Sequence, residues 1–159
     1  MEKSATTEKK YKIITVFLAL IILLVGGMEY LLFRSTSLPM FDWVRNADMT
    51  NSIERLGFNI CLIPAWMIYI LPDGLWMLSY SLIIGCIWDF RISHCWFMLT
   101  LLFFVAILFE FLQYIHVIPG TFDNLDIIAY ALAFFLGALY IIITGELIIK
   151  KNKNNETEF

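Results

Sequence analysis

The run CWFMLTLLFFVAILFEFLQ, Cys95 to Gln113, is long enough to cross a bilayer, and it carries one formal charge, Glu110. A transmembrane helix needs about 20 apolar residues, within a range of about 17–25. Three further runs approach that requirement, so the sequence predicts spans over about Lys12 to Phe33, Asp73 to Trp88, Cys95 to Tyr114 and Asp126 to Ile149. The second is short unless it borrows flanking residues. The chain has 159 residues, of which 60% are hydrophobic. Soluble domains are about 45–50% apolar, and a chain this short cannot hide the excess in a water-soluble core. The expected fold is therefore all-α: a single polytopic membrane helix bundle of about four transmembrane helices, with an interfacial or re-entrant segment.

Basic residues give the expected orientation. Lys3, Lys9, Lys10 and Lys12 precede the first span, Lys150, Lys151 and Lys153 follow the last, and Arg91 lies between the second and third. The connection HVIPGTFDNLD has no Lys or Arg. By the positive-inside rule both termini and the 88–94 turn are cytoplasmic, with tails at 1–11 and 150–159. The first run exceeds a signal-peptide core and lacks a small-residue cleavage site, so it reads as an uncleaved anchor. Residues 34–72 form the outer connection. Its charges, Arg34, Arg45 and Arg55 against Asp42, Asp48 and Glu54, balance.

Within that connection, Asn51 and Glu54 match a reciprocal helix cap, and Met49, Ile53, Leu56 and Cys61 make a short apolar stripe for a surface helix. The segment 57–72 is apolar but is broken by Pro64 and closed by Pro72, which suits an interfacial or re-entrant path. Trp66, Tyr69 and Trp76 suit the headgroup level. Gly26, Gly27 and Gly137 are expected close-packing points. Cys61, Cys86 and Cys95 have no metal-ligand or CxxC spacing and read as small buried hydrophobes.

The embedded acids fall at one level. Glu29 is near the outer end of the first span, Asp73 opens the second and Asp126 opens the fourth. Glu110 lies one turn inside the outer end of the third. A carboxylate at bilayer depth costs about 2.5–3.5 kcal/mol on insertion scales, and such residues usually face a bundle interior and mark function. Each also has a plain structural reading. Asp73 and Asp123 can cap helices, with Asp126 completing a box-like cap. Glu29 can snorkel or pair with Arg34, and Glu146 can pair with Lys150 at i+4. Glu110 can hydrogen-bond Gln113 or a tyrosine. His116 reads as interfacial and solvated, with proton transfer as the alternative.

The stretch FEFLQYIHVIPGTFDNLDIIAYALAFFLG resembles the VanZ-like family of small bacterial membrane proteins. The family's Glu-x-x-Gln at the end of one span matches Glu110 and Gln113. Its Asp opening the next span matches Asp126, and its small residues match Ala133 and Gly137. LPDGLWMLSY offers Asp73 and Tyr80 for an earlier Asp and Tyr. Gly74 and Met77 stand where the family often has Lys and His, Tyr130 replaces an Asn, and the outer-loop arginine is absent. The resemblance implies a four-to-five-span fold in a bacterial cytoplasmic membrane with a polar outer-leaflet site.

The candidate ligand-binding residues are thus Asp73, Trp76, Tyr80, Glu110, Gln113, Asp126 and Tyr130. The expected function is binding of an envelope lipid, a lipid-linked sugar or an envelope-active compound. The alternatives are a structural or assembly partner and a lipid-modifying enzyme with Glu110 as acid or base. No nucleophile–base pair or phosphate loop is present, so no catalytic residue is assigned. No cofactor is expected, although Mg²⁺ or Ca²⁺ is the ion that hard carboxylate oxygens would accept. The bilayer is the expected partner, nucleic acid is not, and homo-oligomerisation stays open.

Overall fold

The computed structural model describes residues 2–33, 46 and 64–157. Five helices follow in order: α1 (Glu2–Phe33), α2 (Ala65–Tyr69), α3 (Leu71–Ile87), α4 (Ile92–Tyr114) and α5 (Asn124–Thr157). Thr6–Phe33, Ile92–Tyr114 and Asn124–Asn154 are each long and apolar enough to cross a membrane. α3, with 17 residues, sits at the lower edge of the spanning range. The described chain is all-helical, and three of its helices fit a membrane bundle.

α1 and α5 run past the expected tail boundaries. The segments expected as tails are helical over 2–11 and 150–157, continuing α1 and α5. An existing helix propagates at little cost, and Glu, Lys and Ala are good helix formers. Pro72 does not close the preceding segment. It is buried within the first turn of α3, where the missing N–H costs no helical bond. Residues 65–69 form the short α2, which runs through Ile70 directly into α3. The expected Asn51–Glu54 cap, the stripe from Met49 to Cys61, Arg34 and residues 57–63 lie outside the described residues.

Three helices make the core. α1 and α3 are antiparallel: Ser79 Oγ donates to the Ala19 carbonyl at 2.9 Å, and the Cys86 thiol approaches the Lys12 carbonyl at 3.8 Å. α3 and α5 are parallel, with Gly74 against Ala129, Ser81 against Gly137 and Gly85 against Ile141. Thr15 and Tyr140 join α1 to α5 through a 2.7 Å hydroxyl pair. Thr15, Ser79, Ser81 and Thr144 are all buried. Helices in lipid lack a hydrophobic drive to associate, so small residues and interhelical hydrogen bonds replace it. A Cβ at Gly137 would lie 2.4 Å from Ser81 Cβ, and one at Gly145 would lie 2.6 Å from the Phe90 carbonyl oxygen. Gly26 packs under Trp76 as expected, whereas Gly27 has open space around it.

α4 lies on the outside and runs antiparallel to α3 and α5. Tyr80 Oη donates to the Met98 carbonyl at 3.2 Å, and Trp96 and Phe103 meet Phe134 with ring centroids 5.8 and 5.1 Å apart. Only Cys95, Leu99 and Glu110 of α4 are buried. With these directions, the free ends of α1 and α5 share one end of the bundle with the α3–α4 turn. The starts of α3 and α5 and the ends of α1 and α4 share the other, called here the loop end.

The α3–α4 turn is tight. Phe90 N–H donates to the Gly85 carbonyl at 2.8 Å and Asp89 N–H to the Cys86 carbonyl at 3.4 Å. Asp89 and Phe90 both take left-handed backbone, φ 55° and 56°. That region costs a non-glycine residue about 1–2 kcal/mol. Burial of the Phe90 ring, 2% exposed, offsets the strain. Lys12 bridges Asp89 and Glu8, and its ammonium holds the Asp89 carboxyl below the usual range. Glu146 and Lys150, expected to pair, form no ion pair.

Candidate functional site

The loop end gathers most of the expected polar residues because α3 and α5 are parallel. Both helices bring their first turns there, carrying Asp73 and Asp126. α4 brings its last turns, and α1 brings Tyr30. Asp73 is not a cap. The N-cap of α3 is Ile70, which makes no side-chain cap bond. Asp73 Oδ1 instead accepts from Tyr30 Oη at 3.3 Å. Tyr30 also stacks on Trp76, with centroids 5.0 Å apart and planes 22° apart. Trp76 therefore borders the cluster through Tyr30.

Asp123 is a cap, as expected. Its Oδ1 accepts from Leu125 N–H at 2.8 Å, two residues on. That satisfies one of the free donors in the first turn of α5. The reciprocal half of the box takes a different route: Asp123 N–H donates to Glu110 Oε2 at 3.5 Å. A carboxylate of α4 thus meets the entry to α5. Glu110 is 4% exposed on a helix whose other buried residues, Cys95 and Leu99, lie at its opposite end.

Tyr130 is central. It follows Asp126 by one turn, and its hydroxyl lies within electrostatic reach of Asp73, Glu110, Asp126 and Tyr30. Glu110 in turn feels Asp123 and Asp126. Two features of this set matter chemically. Three helices contribute carboxylates, and the tyrosine hydroxyls are the groups beside them that can donate as well as accept. The arrangement suits a ligand offering hydroxyl or ammonium donors; a bare phosphate would be repelled. Among the described residues, no group of three His, Cys, Asp or Glu is placed to hold a metal ion.

Two expected members fall outside the cluster. Tyr80 lies about 10 Å further along α3, at 1.5 Å per residue from Asp73, and its hydroxyl is committed to the Met98 carbonyl. Gln113 turns under the α4–α5 loop. Its carboxamide lies 2.7 Å from where a Cβ at Gly120 would sit, and Gly120 holds φ 145°. His116 is exposed and forms the left-handed end of α4 at φ 58°. Its N–H reaches the Gln113 carbonyl at 3.0 Å and that of Val117 the Leu112 carbonyl at 2.9 Å, a Schellman ending. Glu29 Oε2 is buried without a hydrogen-bond partner among the described residues. Tyr30 is the member that sequence reasoning missed. In an apolar helix a tyrosine reads as packing, and only the α1–α3 register sets it opposite Asp73.

No family model, curated protein or solved structure matches the chain.

Proposed function

We propose that this chain crosses a bacterial cytoplasmic membrane four times, with both termini cytoplasmic, and binds the polar head of an envelope lipid or lipid-linked sugar at the loop end, in the outer leaflet. The observation that carries the reading is the burial of Glu110 beside Asp126 and Tyr130, on a helix that otherwise shows that end to lipid. Keeping a carboxylate there costs several kcal/mol, and a ligand contact gives the cost a purpose. Carboxylates facing tyrosine hydroxyls favour a hydroxyl-rich or cationic head group. A VanZ-like kinship, carried by Glu110, Gln113, Asp126 and Gly137, is part of this proposal.

A structural role is the second reading, favoured by the Asp123 cap and by the bond from Asp123 N–H to Glu110. The separating experiment replaces Glu110 with Gln and, separately, Asp126 with Asn. Protein level and thermal unfolding are measured beside envelope-stress resistance. Lost resistance at normal abundance supports the site. Lost abundance in both variants supports the structural reading. Wild-type behaviour in every measurement would remove the site altogether.

A further inference from the structure

An apolar furrow of about 310 Å³ runs between α3 and α5, starting at Trp66 of α2 and Leu125 and ending at Leu78 and Leu136. Eleven residues separate Leu125 from Leu136, which is about 16 Å of helix at 1.5 Å per residue. That is about half of a 30 Å hydrocarbon core. No charged residue lines the furrow. Its wall residues Ile128 and Leu132 are 52% and 60% exposed, so the furrow opens sideways into lipid, where no water-soluble ligand can fill it.

The furrow begins at the level of the carboxylates. Leu125 and Ala129 of its wall precede Asp126 and Tyr130, and Gly74 follows Asp73. The Gly74–Ala129 contact, 3.5 Å from a Cβ built on Gly74 to that of Ala129, is the partition between the two. It has no bulky side chain. A molecule with its head among the carboxylates meets the top of the furrow directly across that low rim.

We infer that the furrow holds one hydrocarbon chain of the same lipid whose head group occupies the cluster of Asp73, Asp126 and Tyr130. The inference rests on the head-group reading above and narrows it: the ligand is a chain-bearing lipid, bound by head and tail together. A second apolar hollow, about 290 Å³, lies between α4 and α5 under Tyr114 and Phe122. It extends only from Ile107 to Tyr114 on α4, about 10 Å at the same rise. It serves as the internal comparison.

The test uses the full chain in vesicles of phosphatidylethanolamine and phosphatidylglycerol, doped with a glycosyl diacylglycerol carrying a photoreactive diazirine in one acyl chain. After irradiation, adducts are mapped by mass spectrometry. The expected result is adducts on 66–78 and 125–136 several-fold above those on 101–114 of α4, which is comparably apolar and exposed. Leu132→Trp fills the furrow from a lipid-facing position and should lower its adducts several-fold without changing thermal unfolding. Asp126→Asn should lower them as well, because head and tail belong to one molecule. Even labelling of both regions, or no response to Leu132→Trp, overturns the inference. Furrow adducts indifferent to Asp126→Asn mean bulk chains alone, and also overturn it. If Asp126→Asn abolishes envelope-stress resistance while Leu132→Trp leaves it intact, the furrow fails and the head-group site stands.

Discussion

Gly137→Ala tests the packing that places the cluster. The added Cβ would stand 2.4 Å from Ser81 Cβ and 2.9 Å from its Oγ. Carbon atoms in ordinary contact are about 3.5–4.0 Å apart, so α3 and α5 must part by more than about 1 Å or shear. Overpacking of this kind costs about 1–3 kcal/mol. Alanine's better helix propensity, up to about 1 kcal/mol in water, works against that loss. Ser81 cannot swing away freely, because its Oγ donates to the Met77 carbonyl at 2.9 Å and its own Cβ is the nearest obstacle. Reversible unfolding in mixed micelles should therefore show Gly137→Ala less stable by about 1–2 kcal/mol. Ser81→Gly in the same chain removes the obstacle and should restore most of the loss. The coupling between the two changes should be about 0.5–3 kcal/mol. A neutral Gly137→Ala, or two effects that add within about 0.5 kcal/mol, would refute the parallel α3–α5 register. The placement of Asp73 near Tyr130 would fall with it.

Three further outcomes are expected. The Asp89 carboxyl is held low by Lys12, so its contribution to stability is full above the ordinary carboxylate pKa of about 3.9 and is lost as pH falls through the lower folded value. Melting curves from pH 7 to pH 3 should show that loss, and Asp89→Asn should flatten it; the pair is partly exposed, so the whole effect is about 0.2–1 kcal/mol. Phe90→Gly relieves about 1–2 kcal/mol of left-handed strain but removes a buried ring worth about 3–5 kcal/mol, so unfolding should show a net loss of about 1–4 kcal/mol, and a gain would mean the ring is not buried beside Gly85. His116→Gly should raise stability by about 1 kcal/mol, because its φ of 58° suits glycine; lost envelope-stress resistance in that variant would revive a proton-transfer role for the imidazole.

Hydropathy marked α4 well. The expected span ended at Tyr114, where the helix ends, because the apolar run and the helix stop together at the Schellman turn. α1 and α5 extend beyond the expected spans, since polar residues prolong a helix without altering the apolar core. The Asp123 cap was legible because capping is local chemistry. Tyr80 came into the candidate set through the resemblance, which does not show which neighbour its hydroxyl meets, while seven residues of helical rise already set it about 10 Å from Asp73. Gly26 and Gly27 could not be told apart for a related reason. Neighbours on a helix point about 100° away from each other, and only the position of Trp76 decides which one is covered. The close approach of Ile141 to Gly85 and of Phe90 to Gly145 is likewise set by the neighbouring elements and has no local sequence signal.

The bonds between α1 and α3 have a consequence for how the helices assemble. α3 is the one helix of the four main ones that falls short of an independent span, and it carries Asp73 and Ser79 against α1. Chains emerge N-terminus first, so α1 precedes α3 in synthesis. It presents the Ala19 carbonyl to Ser79 and the Tyr30 hydroxyl to Asp73, the partners that an α3 arriving alone would lack. Tyr30 therefore belongs to the seating of α3 against α1 as much as to the candidate site.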